Sequence, residues 1–264
     1  MNGQGWVGSR LLVSWGRNAQ NVARHAGRMT HLFAGIVTAF ARGRVPLRAV
    51  VDQIWWMGVQ SIPIVIVTAM LGGIVTSQQG GYQFTGAIPL YILGSVVASS
   101  VVLELGPVMT AIVMVGRVGA RITAEFGTMK VSEQIDALHS LGRDPVVVLA
   151  APRVAAGLLV VPVLVAIANV VGVFTGMVAA NLTIGLGSGS FFYGAQLYWH
   201  KWDLVYSLTK ALAFGFWIPF IAVHMGFETQ GGAEGVGKAT TSAVVFMTLA
   251  VLILDASMPP IFLN

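Results

Sequence analysis

The most restrictive feature of this sequence is a polar segment, residues 116–153, between two long apolar stretches. The stretch before it, residues 88–115, contains Glu104 as its only charged side chain, and the stretch after it, residues 154–179, contains none. About 20 mainly apolar residues in a helix are long enough to cross the hydrocarbon core of a bilayer. The pattern therefore predicts two transmembrane helices joined by a polar connection on one side of a membrane.

Composition extends this prediction to the whole chain. Hydrophobic residues make up 56% of the sequence and charged residues 9%, whereas about a quarter of the residues of a soluble domain are charged. Apolar stretches of spanning length occupy about residues 54–75, 88–115, 154–179, 204–225 and 241–263. We therefore predict an all-α integral membrane protein whose five transmembrane helices form one domain, residues 51–264.

Residues 1–50 form a separate, basic region. They include seven arginines, at positions 10, 17, 24, 28, 42, 44 and 48, and lack a charge-free stretch long enough to span a membrane. Arginines interspersed with apolar residues are typical of helices that lie in the membrane interface near anionic headgroups. We predict an N-terminal basic amphipathic interfacial helix; for residues 1–15, a partly disordered basic tail is the alternative.

The distribution of lysine and arginine predicts the orientation of the chain. All of them except Lys201 and Lys210 fall on the side of the membrane that holds residues 1–50 and 116–153. Loops rich in lysine and arginine stay in the cytoplasm. The N-terminus is therefore predicted to be cytoplasmic and the C-terminus periplasmic, and the clustering reflects membrane orientation rather than nucleic-acid binding.

Several local patterns predict how the spans begin, end and pack. The uncharged residues 76–87 and the glycine-rich residues 226–240 are expected to be loops. Residues 232–239 resemble a phosphate-binding loop, but Ala239 replaces the required hydroxyl residue and no strand precedes it, so we expect a cytoplasmic turn. Gly106-Pro107 predicts a tilt or break in the second span, and Gly172-x-x-x-Gly176 predicts a helix-packing face.

Three ionisable residues, Glu104, Lys210 and Asp255, lie within the predicted spans. Such groups are costly in a membrane unless they are paired or hydrated, and they often mark function; a purely structural ion pair is equally open. At ~1.5 Å per residue, Lys210 lies ~9 Å and Asp255 ~12 Å from the outer ends of their helices, which predicts that they pair. Glu104 lies deeper and could share Lys210, bond to a neighbouring span or stay protonated; we favour a neutral or proton-sharing Glu104.

Residues 128–141 are predicted to form one short amphipathic helix. Val131, Ile135 and Leu138 recur at i, i+4 and i+7, while Glu133 and Asp136 lie off that stripe. An amphipathic helix of this kind can dock into a groove of a partner protein. The alternative is that the stripe packs on the ends of the chain's own spans.

The outer end of the first span suits a lipid. Gly72 and Gly73 are followed by the uncharged polar residues Gln78, Gln79 and Tyr82, an apolar wall below polar groups that matches acyl chains below a headgroup. We predict a lipid cavity to which two protomers contribute. Plain helix packing explains the two glycines equally well.

Motifs in and around the polar segment resemble those of the MlaE family of ABC-transporter permeases. The motifs, which recur in order, are Glu104-Leu-Gly-Pro107, Gly116-Arg117-x-Gly119, Thr123-Ala-Glu125-x-Gly127-x-Met129, Glu133-Gln134 and Asp144-Pro145. The resemblance runs from about residue 50 to the C-terminus. The chain departs from the family pattern at Leu103, where family members usually carry an arginine before the glutamate.

The resemblance implies an inner-membrane permease that moves phospholipids between the two membranes of a Gram-negative-type envelope. It implies a homodimer, a cytoplasmic ATPase dimer that binds ATP and Mg²⁺, a STAS-domain protein on the ATPase and a periplasmic ring of MCE-domain proteins. The permease itself then has no catalytic residue, metal or cofactor. Residues 116–153 become the coupling segment, with Glu125, Val131, Glu133, Ile135, Asp136 and Leu138 as its contacts with the ATPase.

Two other function classes stay open at this point. A stand-alone secondary transporter could use Glu104 and Asp255 as proton carriers, although five spans without an inverted repeat argue against it. An intramembrane enzyme would need a nucleophile and a base, and neither an HExxH nor a GxSG motif is present. A stable complex with a separate ATPase would favour the permease over both.

Overall fold

The computed structural model is a bundle of α-helices that describes residues 4–84, 86 and 88–262, with only the helical backbone described for residues 4–22. Five helical segments are long and apolar enough to cross a membrane, and we number them as the first to the fifth span. They are Leu47–Gln83, Ile92–Val131, Val146–Ile184, Lys201–Phe227 and Gly232–Phe262. The predicted all-α integral membrane fold with five spans is confirmed.

Most spans are assembled from shorter helical pieces. In chain order the α-helices are α1 (Gln4–Ala41), α2 (Leu47–Met57), α3 (Ile62–Gln83), α4 (Ile92–Ser100), α5 (Gly106–Met114), α6 (Ala120–Val131), α7 (Gln134–Ser140), α8 (Ala151–Ile184), α9 (Ser188–Leu197), α10 (Lys201–Phe227), α11 (Gly232–Ser257) and α12 (Pro259–Phe262). A 3₁₀ turn, Val59–Ser61, joins α2 to α3, and three π turns, Val101–Leu105, Val115–Gly119 and Val146–Ala150, lie within the second and third spans.

Successive spans run in opposite directions, which gives the bundle two distinct ends. We call the end that holds residues 42–46 and 132–145 the basic end. There the rings of Phe126 and Phe227 pack edge to face with centroids 4.9 Å apart. At the opposite end, Trp202 Nε1 donates a hydrogen bond to the Phe262 carbonyl oxygen at 2.9 Å, and α9 packs against α4.

The third span lies at the centre of the bundle, where α8 packs against α2, α3 and α10. Its crossing with α3 is a contact of glycines. A Cβ atom placed on Gly73 would lie 2.0 Å from the Gly172 carbonyl oxygen, and one on Gly176 would lie 3.2 Å from the Gly73 carbonyl oxygen. Small residues allow helices in membranes to approach this closely, so the predicted packing face at Gly172 and Gly176 is confirmed.

Replacing Gly73 by valine is expected to separate α3 from α8, because the new side chain collides with backbone atoms that cannot rotate away. We expect little folded protein in the membrane fraction and a lower thermal midpoint for what remains. Gly72→Ala is the matched control, since its Cβ would meet only the flexible end of Met109, 3.1 Å from Sδ. A wild-type thermal midpoint for Gly73→Val would contradict the close crossing.

Two predicted loops extend too far, and the break that was one of the two outcomes predicted at Gly106-Pro107 is absent; a tilt of that span stays a prediction. Residues 76–83 continue α3, and α11 begins at Gly232, so the phosphate-loop-like residues 232–239 are its first turns. The second span passes Gly106-Pro107 without a break, by way of the π turn that precedes them. Within a bilayer the backbone must satisfy its own hydrogen bonds, which favours continued helix over loop.

The basic N-terminal region is helical, and part of it packs on the bundle. Leu32, Ile36 and Ala39 of α1 are buried, and α1 contacts the π turn at the start of the third span. Phe33 and Val37, on another face, are each 46% exposed. A location in the membrane interface stays a prediction, and the side chains at positions 10 and 17 lie outside the described part.

Candidate functional site

Three ionisable side chains meet between the second, fourth and fifth spans, and we call them the charge cluster: Glu104, Lys210 and Asp255. Lys210 Nζ lies 2.6 Å from Glu104 Oε2 and 2.5 Å from Asp255 Oδ1. The Lys210 side chain is fully buried, whereas that of Glu104 is 48% exposed. The predicted pair of Lys210 and Asp255 is confirmed, and Glu104 shares the same ammonium group.

Lys210 also contacts the helix backbone next to Pro107. Pro107 has no amide hydrogen, so it cannot donate to the carbonyl of Leu103, four residues earlier in the helix. Lys210 Nζ donates to that carbonyl oxygen at 3.1 Å. The ammonium group therefore stabilises the helix around Pro107 as well as the two carboxylates.

The electrostatic balance of the charge cluster is uneven, because two carboxyl groups share one cation. The ring of Tyr206, itself buried, lies 5.3 Å from Lys210 Nζ and provides a further favourable cation–π contact. The cluster can therefore accept a proton, a cation or a hydrogen-bond donor from the side on which Glu104 is exposed. A proton shared between the carboxyl groups stays a prediction.

Glu104 begins an exposed strip along the second span. The strip consists of Glu104, Val108, Ile112 and Gly116, which recur at the spacing of one helix face; Val108 is half-buried and the other three are exposed. Ile112 is 46% exposed, and no atom lies within 4 Å of where a Cβ on Gly116 would be. Apart from Glu104 the strip is apolar, so it presents one polar group above a surface that suits acyl chains.

The predicted single helix over residues 128–141 is wrong. α6 ends at Val131, and α7 begins at Gln134 after a turn in which Glu133 adopts a left-handed backbone with φ of 61°. Ile135 is buried against the chain itself, whereas Val131 is exposed and Leu138 half-buried. The three apolar residues therefore do not form one stripe along one helix.

Two acidic residues of the coupling segment already have partners in the chain. Glu125 Oε1 lies 2.6 Å from Arg153 Nη2, and Asp136 Oδ1 lies 2.9 Å from Lys130 Nζ, across the turn between α6 and α7. Glu133 is exposed and belongs to none of the ion pairs in the described part of the chain. The contact of this segment with an ATPase stays a prediction, with Glu133 as its most available acid.

The predicted lipid-binding residues separate into two groups. Gly73 is buried at the crossing with α8 and Gly72 lies against Met109, so packing accounts for both glycines. Gln78, Gln79 and Tyr82 are exposed, and Gln78 lines a groove of about 370 Å³ between α3 and α8. Lipid contact at these three side chains stays a prediction.

Sequence reasoning assigned no contact to three polar residues that the structure places between helices. Asn169 Nδ2 donates to Ser207 Oγ at 3.0 Å inside the bundle, and Arg153, 6% exposed, pairs with Glu125. Arg117 Nη1 donates to Ser61 Oγ at 2.7 Å. Asn169 could have been noticed as an amide in an otherwise apolar stretch, but its partner lies 38 positions away in the sequence.

Comparison with known proteins finds permeases that are similar to this chain along most of its length. The family model described as Permease MlaE matches residues 50–259, which include the charge cluster and the coupling segment. A probable ABC transporter permease protein of Rickettsia typhi is 36% identical over 244 residues, covering 88% of this chain and 94% of the relative. A probable ABC transporter permease protein of Synechocystis is 38% identical over 212 residues, covering 80% and 81%.

A plant protein is also similar to this chain. The chloroplastic protein TRIGALACTOSYLDIACYLGLYCEROL 1 of Arabidopsis thaliana is 34% identical over 230 residues, which cover 87% of this chain and 66% of the plant protein. With the family model spanning the membrane domain and the Rickettsia relative aligned over nearly its whole length, this chain belongs to the MlaE permease family.

Proposed function

We propose that this chain is the transmembrane subunit of an ATP-driven transporter that moves phospholipids between the inner and outer membranes of a Gram-negative-type envelope. The observation that carries the proposal is the charge cluster, in which three spans bring ionisable groups together in an apolar bundle and leave Glu104 half exposed. A purely structural ion pair does not need an exposed carboxylate, because its partner lies inside the bundle. Glu104 instead offers a polar contact to a headgroup above an apolar strip.

The relatives support both the energy source and the class of substrate. Two bacterial relatives are named as ABC transporter permeases, which supports a separate ATPase subunit that binds ATP and Mg²⁺. The plant relative is named after a glycerolipid, which supports a lipid substrate. In the proposed assembly, a STAS-domain protein attaches to the ATPase dimer and a ring of MCE-domain proteins docks on the periplasmic side.

The proposed assembly contains two copies of this chain in the inner membrane, with the basic end in the cytoplasm. The exposed strip on the second span and the fifth span, the least buried of the five, supply surface for the second copy and for a lipid between the two. The distribution of lysine and arginine supports the orientation.

The helices of the basic end connect the proposed ATPase contact to the proposed lipid site. The turn at Ser132 and Glu133 is continuous with α6, and α6 belongs to the same span as Glu104. The Glu125–Arg153 pair ties α6 to the third span. An ATPase that moves this turn therefore also moves the strip and one member of the charge cluster, which is how ATP binding would change the lipid site.

The test is co-expression of the full chain with a Walker-motif ATPase, followed by purification and measurement of lipid-stimulated ATP hydrolysis. We expect a stable complex, and we expect Glu133→Lys to weaken ATPase association about tenfold because it reverses the charge of an unpaired acid. Glu133→Lys tests the contact more cleanly than a variant that also changes Asp136, because Lys130 already holds Asp136. Lys238→Ala, at another exposed site of the basic end, is the control and should bind as wild type.

One outcome would favour the stand-alone alternative over the permease. A chain that purifies without an ATPase and moves protons in proteoliposomes, with Glu104→Gln abolishing that movement, would show a secondary transporter. Undiminished ATP hydrolysis by the Glu133→Lys complex would contradict the coupling contact alone and leave the permease assignment standing.

A further inference from the structure

We infer that Arg117 and Arg121 form a binding site for the phosphate of a phospholipid at the basic end of the exposed strip. The inference rests on the proposed function and adds a second polar contact to the strip that begins at Glu104. At about 1.5 Å rise per residue, roughly 20 Å separates Arg117 from Glu104. This is less than the ~30 Å thickness of a bilayer's hydrocarbon core.

The two arginines are held in place by the first span. They lie one helical turn apart, so their side chains share a face of the second span. The Arg121 guanidinium carbon lies 4.1 Å from the centre of the Trp56 ring. Arg117 Nη1 donates to Ser61 Oγ at 2.7 Å, and Ser61 Oγ in turn donates to the Met57 carbonyl oxygen. These contacts orient the guanidinium groups without cancelling their charge.

Neither arginine has an acidic partner in the part of the chain that the structure describes. The ion pairs there involve Arg28, Lys130, Arg153, Lys210 and Lys238. Arg153, on the neighbouring span, shows the other case, because Glu125 neutralises it inside the protein. Two oriented, unpaired guanidinium groups favour an anion, and their planar donor sets match phosphate oxygens.

The space beside the arginines fits the rest of the lipid. Gly116 leaves the strip open next to Arg117, and the half-buried Val108 and the exposed Ile112 continue it toward Glu104. A phospholipid bound by its phosphate at the basic end would lay its acyl chains along these apolar residues. That is the orientation of a lipid in the leaflet on the basic side, and it places the arginines where a lipid would enter the path.

Photo-crosslinking of the full chain tests the site. The photo-reactive amino acid p-benzoylphenylalanine replaces Ile112, and the protein in neutral detergent is mixed with phosphatidylglycerol at limiting concentration. Lipid adducts are counted by mass spectrometry. We expect Arg117→Gln with Arg121→Gln to lower the adduct yield about tenfold, since charge-assisted hydrogen bonds to phosphate are lost. Arg143→Gln, an exposed arginine of the same end, should stay within about twofold of wild type.

Further arms separate phosphate recognition from structural effects. Ser61→Ala removes the positioning hydrogen bond and keeps both charges, so it should lower the yield less than the double glutamine variant. Arg117→Lys with Arg121→Lys should recover part of the capture. Thermal midpoints of all variants show whether each is folded, and a double glutamine variant that is folded but captures as much lipid as wild type would overturn the inference.

Two probes without a complete lipid identify what is recognised. Diacylglycerol lacks the phosphate and should crosslink poorly; capture equal to that of phosphatidylglycerol would overturn the inference, because acyl contact alone would suffice. Inorganic phosphate should compete only weakly. Complete competition by phosphate at lipid-equivalent concentration would mean a site for free phosphate and would also overturn it.

The failure of this inference can be distinguished from failure of the proposed function. A second probe at Val96, on the same face as Glu104 and 38% exposed, reports lipid near the charge cluster without involving the arginines. Lipid capture at position 96 that persists when position 112 captures none would overturn the arginine site and leave phospholipid transport intact. Absence of an ATPase complex would instead contradict the proposed function.

Discussion

Replacing Lys210 by methionine is expected to lower the free energy of unfolding by about 3–5 kcal/mol, the cost typical of breaking a buried ion pair from one side. The variant would leave Glu104 and Asp255 facing each other without their shared cation. It would also leave the Leu103 carbonyl without the donor that Pro107 cannot supply. Equilibrium unfolding of the purified chain in mixed micelles measures the loss, and lipid transfer by the reconstituted complex measures function.

The matched variant removes all three charges at once. Glu104→Gln, Lys210→Met and Asp255→Leu together should be more stable than Lys210→Met alone, because no buried charge remains unpaired. If the triple variant folds but does not transfer lipid, the cluster takes part in transport. If it folds and transfers lipid normally, the cluster is only a structural lock. A single variant as stable as wild type would contradict the pairing itself.

The pairing shows what a count of helix depth can predict. The residue count places Lys210 and Asp255 at nearly the same depth from the outer ends of two spans. Buried charges of opposite sign at one depth offset each other's desolvation cost when they pair. The same argument could not choose among the three partners open to Glu104. That choice depends on the rotation of the second span, which is set by packing at glycines and by a π turn rather than by hydrophobic pattern.

Irregular backbone was predicted in the wrong places for a related reason. The polar, uncharged residues 76–87 predict a loop, yet α3 continues to Gln83, and Gly106-Pro107 predicts a tilt or a break, yet the helix passes without a break. Glycine and proline are tolerated in membrane helices because neighbouring groups satisfy the freed backbone atoms. Here the satisfying group is the side chain of Lys210, which lies too far along the sequence for any local pattern to reveal it.

The prediction for residues 128–141 was wrong in the opposite sense, because it placed continuous helix where the structure has a turn. Val131, Ile135 and Leu138 have helical spacing, and neither glycine nor proline separates them, so one helix was the reasonable prediction. The structure breaks the helix at Ser132 and Glu133, and the Lys130–Asp136 pair closes the turn. Burial of Ile135 against the chain offsets the unusual backbone of Glu133, and such tertiary gains are not visible in a short sequence window.

Replacing Arg153 by methionine is the second change expected to have a large effect. The Arg153 side chain is 6% exposed; it pairs with Glu125 at 2.6 Å, donates to the Leu149 carbonyl at 2.8 Å and lies over the ring of Phe126. Because Glu125 is 38% exposed and can be partly hydrated, the expected loss lies near the lower end of about 3–5 kcal/mol. Equilibrium unfolding measures this loss.

The same pair links α6 to the third span, so its removal should affect transport beyond its effect on stability. The double variant Glu125→Gln with Arg153→Met leaves no unpaired charge and should recover most of the stability. It should still bind the ATPase, because Glu133 and the turn are unchanged, but lipid should stimulate ATP hydrolysis less. Normal stimulation in the stable double variant would show that motion passes from α6 to the bundle by packing alone, through contacts such as that between Phe126 and Phe227.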